Sequence, residues 1–211
     1  MESDDVPSGL RERKKRETRI ALSWAAIRLT VERGFDNVRV EDIAAEAGVS
    51  PRTFNNYFAG KGEAIAARQV ERARAIAEEL RARPADEPLW EAITNAALAR
   101  FALGQDSHRE PADQQWVEGV RLMVSEPALQ GEFLKAAAAV EAEFAAVVAE
   151  RTGTDPELDL YPKLVAAAVG GAMAVAVEHW LRTEPPGAVT DLLRDAFAQL
   201  SQGLPTPRRT T

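Results

Sequence analysis

The stretch EDIAAEAGVSPRTFNNYFAGK, residues 41 to 61, decides the fold of this chain. Ile43, Ala44 and Ala47 recur at helical spacing on one apolar face, which predicts a short helix. Gly48 follows this face and is free to take a positive φ. The pattern therefore predicts a helix that ends in a tight turn.

A second helix is predicted to start at Ser50. Its hydroxyl can accept a hydrogen bond from a free amide of the first turn, and Pro51 stands where its missing N–H does no harm. Phe54 and Phe58 give this helix an apolar back. Its polar front is predicted to consist of Arg52, Thr53, Asn55 and Asn56. Because arginine pairs with guanine and asparagine with adenine in the major groove, the pattern predicts a helix-turn-helix that reads DNA.

Further polar residues are predicted to hold backbone phosphates. Tyr57 and Lys61 follow the second helix, although Tyr57 can equally be a core residue and Lys61 a solvated one. Residues 11 to 19, RERKKRETR, carry six bases and two acids, which favours an arm that reaches phosphates or the minor groove over a solvated helix start or loose tail. The predicted DNA-binding residues are Arg13, Lys14, Lys15, Arg39, Ser50, Arg52, Thr53, Asn55, Asn56, Tyr57 and Lys61.

Composition limits the class of protein. The chain has 211 residues, 45% of them hydrophobic, and no cysteine, which excludes disulfides and thiolate metal sites. The net charge of -7 is uneven, because residues 1–61 sum to +1 and residues 62–211 to -8. No run approaches the roughly 18 uncharged apolar residues of a membrane span, and the first residues are acidic, unlike a signal peptide. We expect a soluble cytoplasmic protein with no membrane partner.

Helical periodicity continues through the chain, with no convincing strand, which predicts an all-α fold. The predicted domains are a flexible tail at 1–12, a helix-turn-helix domain at 13–61, a helical effector-binding and dimerisation domain at 62–201, and a flexible tail at 202–211. Residues 104–113 are predicted to form an exposed loop. Apart from the two short helices within residues 41–61, the predicted helices lie near residues 13–33, 61–83, 88–104, 112–124, 127–151, 157–183 and 187–201.

An enzyme is not expected from this sequence. His108 and His179 are the two histidines, so metal sites with several imidazoles and most Ser-His-Asp arrangements have few candidates. No glycine-rich phosphate loop is evident. The sequence thus predicts no catalytic residue, no metal site and no cofactor.

Residues 18 to 65 resemble the DNA-binding domain of the TetR/AcrR family of bacterial repressors. Two positions depart from the family pattern: Thr30 stands where a large aromatic is usual, and Asn55 where Tyr is usual. The matching residues are Arg19, Leu22, Ala26, Gly34, Phe35, Val40, Ile43, Ala44, Ala47, Gly48, Val49, Ser50, Thr53, Phe54, Tyr57, Phe58 and Lys61.

The resemblance implies about nine helices, a homodimer joined through the last two long helices, and a small-molecule effector that releases a near-palindromic DNA operator. Residues 116–183 are weakly similar to a carboxyl-terminal domain type of actinobacterial members that is associated with acyl-CoA-like ligands. A drug-responsive regulator, or a helical protein–protein interaction module, is the alternative. The candidate pocket residues are Phe101, Trp116, Arg121, Met123, Phe133, Phe144, Met173, His179 and Trp180. Arg121 is the predicted polar anchor, and the others can instead be core or interface residues.

Overall fold

The structure, a computed structural model, describes residues 6–106, 114–183 and 188–206. In these ranges the chain forms nine α-helices and no strand, which confirms the predicted all-α fold. A 3₁₀ turn at Phe35–Asn37 lies between the first two helices. The helices are α1 (Val6–Arg33), α2 (Val40–Glu46), α3 (Pro51–Asn55), α4 (Lys61–Ala82), α5 (Leu89–Asp106), α6 (Gln114–Ser125), α7 (Pro127–Thr152), α8 (Leu160–Arg182) and α9 (Val189–Ser201).

The first of two compact units consists of Met1–Gln69 and Ala112–Ala136. Its core forms because the apolar stripe of α1 meets the inner faces of α2, α3 and the first turns of α4. Burial of these apolar side chains is the main force that holds these helices together. The core residues with the least exposure are Leu22, Ala26, Leu29, Val38, Ile43, Ala44, Phe54, Phe58, Ala64, Ile65 and Leu129.

The helix α6 and the first turns of α7 also belong to this unit, whereas the predicted domain boundary assigns residues 62–201 to the effector domain. The reason is apolar contact. Leu129 is completely buried in the core of the first unit, and Met123 and Phe133 pack against it. The helix α6 also contacts α1. The boundary between the two compact units therefore differs from the domain boundary predicted from the sequence.

The second compact unit consists of Val70–Pro111 and Ala137–Thr211. In this unit α9 packs against both α5 and α8. Small residues, such as Ala92, Ala96 and Ala166, allow the helices to approach closely around larger side chains, such as Leu193 and Phe197. The unit thus has its own continuous hydrophobic core.

Several predicted boundaries need correction. The helix α1 begins at Val6 instead of near Arg13, since the basic run has good helix formers and Pro7 falls in the first turn, where proline is tolerated. The helix α5 continues to Asp106, beyond the predicted loop start at Gly104, and residues 107–113 lie outside the described residues. The predicted tails at 1–12 and 202–211 are described only for residues 6–12 and 202–206; the former are helical and the latter are not.

One helix, α8, is long and apolar enough to cross a membrane by length and composition. An 18-residue window in it has a mean hydropathy of 1.6, and 28% of that window is buried. The sequence-based expectation that no segment approaches this composition is therefore wrong for α8. A single such helix is weak evidence for a membrane, because the core helix of a soluble protein meets the same criteria of length and composition.

Candidate functional site

The turn between α2 and α3 is built as predicted. Gly48 has a φ of 69°, a left-handed conformation that favours glycine. The amide of Gly48 donates to the carbonyl of Ala45 at 3.0 Å, and that of Val49 to the carbonyl of Ala44 at 2.9 Å. These bonds satisfy carbonyls at the end of α2, so the direction in which the chain leaves this helix is fixed.

Ser50 caps α3, which confirms the predicted helix start. Its Oγ accepts a hydrogen bond from the amide of Thr53 at 3.1 Å, and Pro51 occupies the first position of the helix. The hydroxyls of Ser50 and Thr53 also lie 2.9 Å apart, within hydrogen-bonding distance. Both predicted DNA ligands thus have a structural role at the start of α3.

The third helix has a rigid back and an exposed front. Phe54 and Phe58 are buried, and their ring centres lie 5.6 Å apart. On the opposite side Arg52, Asn55 and Asn56 are exposed. Asn56 follows the last helical residue, Asn55, and Phe58 lies just beyond the end of the helix. The structure thus holds one guanidinium and two carboxamides on a packed support, and these groups can read base edges.

The predicted basic arm is the exposed first half of α1. Arg13, Lys14 and Lys15 are exposed, and Arg13 forms an ion pair of 3.6 Å with Glu17 one turn later. The hydroxyl of Thr18 donates to the carbonyl of Lys14 at 2.9 Å. These basic side chains therefore project from a helix rather than from an extended segment.

The other predicted phosphate ligands differ in their surroundings. Arg39 is exposed just before α2, and its amide donates to the carboxylate of Asp42 at 2.9 Å. Tyr57 is half-buried and packs against the core of the first unit. Lys61 Nζ donates to the carbonyl oxygens of Phe35 and Val38, at 2.6 and 3.0 Å. The ammonium of Lys61 thus already has protein partners.

Arg19 supports the end of α3, although the sequence indicates this residue only as part of the family pattern. Its guanidinium donates to the carbonyl of Tyr57 at 3.2 Å. Since Arg19 shares a helical face with Leu22 and Ala26, the periodicity of α1 already places it beside the core. An ion pair between Arg28 and Glu46 joins α1 to α2.

The predicted pocket residues are divided between the two units. Phe101 and Phe144 are buried in the core of the second unit, with Met173 and Trp180 packed against it, whereas His179 is exposed. In the first unit Met123 and Phe133 pack against the core, and Arg121 donates to Glu118 at 2.6 Å. The side chain of Trp116, like His108, lies outside the described part. An open depression of about 220 Å³ contains none of these residues and is lined by Ala138, Glu141, Ala142, Ala145 and Lys163.

Ion pairs join α4 to α7 within the second unit. Arg74 donates to both oxygens of Glu143, at 3.0 and 2.8 Å, and Arg81 to both oxygens of Glu150, at 2.9 and 3.2 Å. The hydrogen bond from Arg81 lowers the pKa of Glu150 below its ordinary value, and the same bond raises the pKa of Arg81. Both pairs are about half exposed, so solvent screens them.

Arg151 holds the end of α4 in the same unit. Its NH1 donates to the carbonyls of Leu80 and Arg83, at 3.3 and 3.1 Å. Its NH2 donates to the carbonyls of Pro84 and Glu87, at 2.8 and 3.0 Å. One guanidinium therefore satisfies carbonyls at and beyond the end of α4 that have no partner in the helix itself.

Among the described residues no group of His, Asp or Glu is arranged to hold a metal ion.

Two family models match the chain. The model described as bacterial regulatory proteins, tetR family, matches residues 24–67, and the model described as MftR C-terminal domain matches residues 87–205. Both domains in the chain are thus similar to domains of transcriptional regulators, and no enzyme family is among these matches.

Named relatives agree with the family models. The HTH-type transcriptional regulator TcmR of Streptomyces glaucescens is 31% identical over 173 residues, covering 82% of this chain and 76% of that protein. The mycofactocin biosynthesis regulator MftR of Mycobacterium tuberculosis is 29% identical over 199 residues, covering 91% and 93%.

Solved structures share the fold at low sequence identity. The fatty acid degradation regulator FadR of Bacillus halodurans has a TM-score of 0.57 and 18% identity, covering 89% of this chain and 96% of that chain. FadR of Thermus thermophilus, a repressor solved in complex with lauroyl-CoA, has a TM-score of 0.55 and 18% identity, covering 92% and 98%. These likenesses concern the arrangement of helices.

Proposed function

The chain belongs to the TetR family of bacterial transcriptional regulators, and from that premise we propose that it is a cytoplasmic repressor that a hydrophobic effector releases from DNA. As a member of this family it binds DNA through its amino-terminal helix-turn-helix and carries a carboxyl-terminal ligand-binding domain. The proposed functional domains are residues 13–61 and 62–201. The single observation that carries the DNA-binding proposal is the capped α3, with its polar front on a buried aromatic back.

Base recognition is assigned to the exposed side of α3. Arg52 can pair in a bidentate manner with guanine, and Asn55 and Asn56 with adenine. Because Phe54 and Phe58 are buried behind them, these side chains start from a fixed backbone, which reduces the entropy that DNA binding costs. Thr53 is half-buried and contributes from the edge of this surface.

Phosphate binding is assigned to the exposed cations of α1 and of the segment before α2. Arg13, Lys14 and Lys15 on α1 and Arg39 before α2 supply positive charge, and the phenol of Tyr57 supplies a donor. These contacts release counterions, so they make affinity fall as salt concentration rises. Positive charge in the first 61 residues fits this role even though the whole chain is acidic.

A homodimer through α8 and α9 is the proposed assembly. Large apolar side chains on α8 are exposed in the single chain: Leu160 by 70%, Leu164 by 55% and Val175 by 63%. Gly171 and Ala174 are exposed on the same helix and allow another helix to approach closely. A second copy of this chain can cover this face without any membrane. The two-fold symmetry of such a dimer presents two helix-turn-helix domains to a near-palindromic operator.

The dimer is tested by a charge on this face. Leu164→Asp is expected to give a monomer in analytical ultracentrifugation and to weaken binding to a two-half-site operator. Leu122→Asp, at a residue that is 63% exposed on α6, is the matched control and should remain dimeric. A Leu164→Asp protein that sediments as the wild type does would place the interface elsewhere.

The proposed effector is an acyl-CoA-like molecule. The carboxyl-terminal resemblance supports this class, as does the helix arrangement shared with the regulator that was solved with lauroyl-CoA. A labelled operator duplex bound to the protein is titrated with a long-chain acyl-CoA, with free CoA and the free fatty acid as controls. Release by the thioester alone is expected. Release by a flavonoid or a cationic drug, but not by the thioester, would support the drug-responsive alternative.

A further inference from the structure

Lys61, the first residue of α4, holds the segment that joins α1 to α2. Its Nζ donates to the carbonyl of Phe35 at 2.6 Å and to that of Val38 at 3.0 Å. The same Nζ lies 4.1 Å from the centre of the Phe35 ring, which is a favourable cation–π distance. Two backbone oxygens and an aromatic face therefore surround one ammonium group.

This arrangement leaves the ammonium of Lys61 little capacity for DNA. An ammonium has three donors, and two of them are already used on Phe35 and Val38. Its side chain is half-buried rather than extended into solvent. A phosphate that took those protons would break both of these hydrogen bonds, and the bond to the phosphate would have to offset that loss.

The braced segment leads directly to α2. The amide of Val38 donates to the carbonyl of Phe35 at 3.4 Å, and the amide of Ile43 donates to the carbonyl of Arg39 at 3.2 Å. The side chain of Val38 is buried in the core of the first unit, together with Ile43. A change in the position of Val38 therefore moves the start of α2, and with it the turn at Gly48 that directs α3.

Lys61 is itself held in place from the other side of α4. The carboxylate of Glu63 accepts a hydrogen bond from the amide of Ala59 at 2.7 Å, which ties the segment before α4 to its first turn. Gly62 lies so close to α7 that an added Cβ would stand 3.2 Å from Cγ of Glu132 and 3.4 Å from Cδ2 of Leu129. The backbone at Lys61 is thus packed closely enough to act as an anchor.

We propose that Lys61 is a positioning residue of the DNA-reading unit, which braces the α1–α2 segment and so sets the position of α3, and that it is not a phosphate ligand. This inference rests on the proposed DNA-binding function. It replaces the sequence-based prediction that Lys61 holds a backbone phosphate. Loss of the Lys61 hydrogen bonds disorders the DNA-reading unit and lowers discrimination between operator and random DNA. Loss of a phosphate ligand instead weakens binding to both kinds of DNA equally.

The test compares Lys61→Met and Lys61→Arg with Lys14→Met, a change in the exposed cations of α1. Affinity for operator and for random duplex is measured over a range of salt concentrations. For Lys61→Met we expect about a tenfold loss on the operator, a smaller operator-to-random ratio and an unchanged salt slope. Lys14→Met should instead reduce the slope by about 0.9 for each phosphate that the protein no longer neutralises, with equal losses of affinity on both duplexes.

Lys61→Arg keeps the charge and separates the two roles even if Lys61→Met does not fold. A planar guanidinium binds phosphate well, but it is larger than an ammonium and carries its donors in one plane, so it does not reproduce the position of Nζ between the two carbonyls and the Phe35 ring. We therefore expect Lys61→Arg to lose discrimination as Lys61→Met does. Wild-type discrimination in Lys61→Arg, together with a reduced salt slope in Lys61→Met, would overturn the proposal.

Hydrogen exchange separates the brace from the DNA-binding function. In the DNA-free protein, Lys61→Arg should speed exchange at the amides of Val38 and Ile43, while Lys14→Met should not. Unchanged exchange at both amides in Lys61→Arg would overturn the brace, whatever the DNA data show. If the wild-type protein binds no duplex, the proposed function fails, and the exchange data still decide whether Lys61 positions the segment.

Discussion

The guanidinium of Arg19 lies 4.5 Å from the centre of the Phe58 ring, where it is stacked against the residue that ends the aromatic back of the reader. The same side chain donates to the carbonyl of Tyr57, just past the end of α3. Arg19 therefore joins α1 to the carboxyl-terminal side of the reading helix. Together with Lys61 it gives the unit two structural cations, which differ in role from the exposed bases of α1.

Removal of Arg19 should destabilise the first unit. Arg19→Met loses a charge-assisted hydrogen bond and a cation–π contact, so we expect the free energy of unfolding to fall by about 1–2 kcal/mol. Urea denaturation measures the loss. Arg11→Met, at an exposed position of the same helix, is the control and should change stability by less than about 0.5 kcal/mol. Equal effects of the two substitutions would contradict a structural role for Arg19.

Exposed residues of α3 should determine sequence preference. Arg52→Ala and Asn56→Ala are each expected to cost about 1–3 kcal/mol on the operator and to relax preference at particular base pairs. Binding to duplexes with single base-pair changes measures this. Arg33→Ala, at the exposed end of α1, serves as the control and should leave base preference unchanged. Losses of the same size on operator and random DNA would show that Arg52 and Asn56 bind only the backbone.

Thr30 offers a stabilising substitution. It is buried, and its hydroxyl has no hydrogen-bond partner. Thr30→Val replaces that hydroxyl with a methyl group of similar size, so we expect the free energy of unfolding to rise by about 1 kcal/mol. Thr53→Val, which removes a hydroxyl that has a partner in Ser50, should not stabilise the protein. Thermal unfolding of both variants tests this, and a less stable Thr30→Val would contradict it.

The pair of Arg81 and Glu150 should contribute stability only above acidic pH. The pKa of Glu150 in the folded protein lies below its ordinary value of 4.5 because Arg81 donates to it. The ion pair therefore stabilises the folded state above pH 4.5 and loses this contribution as the pH falls through the lowered pKa. In a double-mutant cycle with Arg81→Gln and Glu150→Gln we expect about 0.5 kcal/mol of coupling at neutral pH, since both groups are solvent-exposed. Coupling that persisted in strong acid would contradict this origin.

Local features of the reader were predictable from the sequence. The cap at Ser50, the turn at Gly48 and the burial of Phe54 depend on residues a few positions apart, so backbone chemistry and periodicity are sufficient to find them. The helical class of the second unit follows from the same periodicity. That all-α class is also confirmed by the solved structures of family members.

Contacts between distant parts of the chain were not predictable. Lys61 and its acceptor Phe35 are 26 residues apart, and nothing in the local pattern indicates that the ammonium binds carbonyls. Burial of Leu129 in the first unit depends on how α7 packs, which periodicity alone does not specify. The predicted pocket residues Phe101 and Met123 belong to different units for the same reason. An apolar residue predicts burial, but it does not identify its neighbours.

The most direct test of the central claim, that this chain is a DNA-reading regulator, is its affinity for duplex DNA as a function of salt. The duplex is first selected by the protein from a pool with a random central segment. We predict that a near-palindromic sequence is enriched, and that the logarithm of its association constant falls linearly with the logarithm of salt concentration, with a slope of about -4 or steeper. No enrichment, and an affinity that is flat from low to high salt, would contradict the claim and favour a protein–protein interaction module.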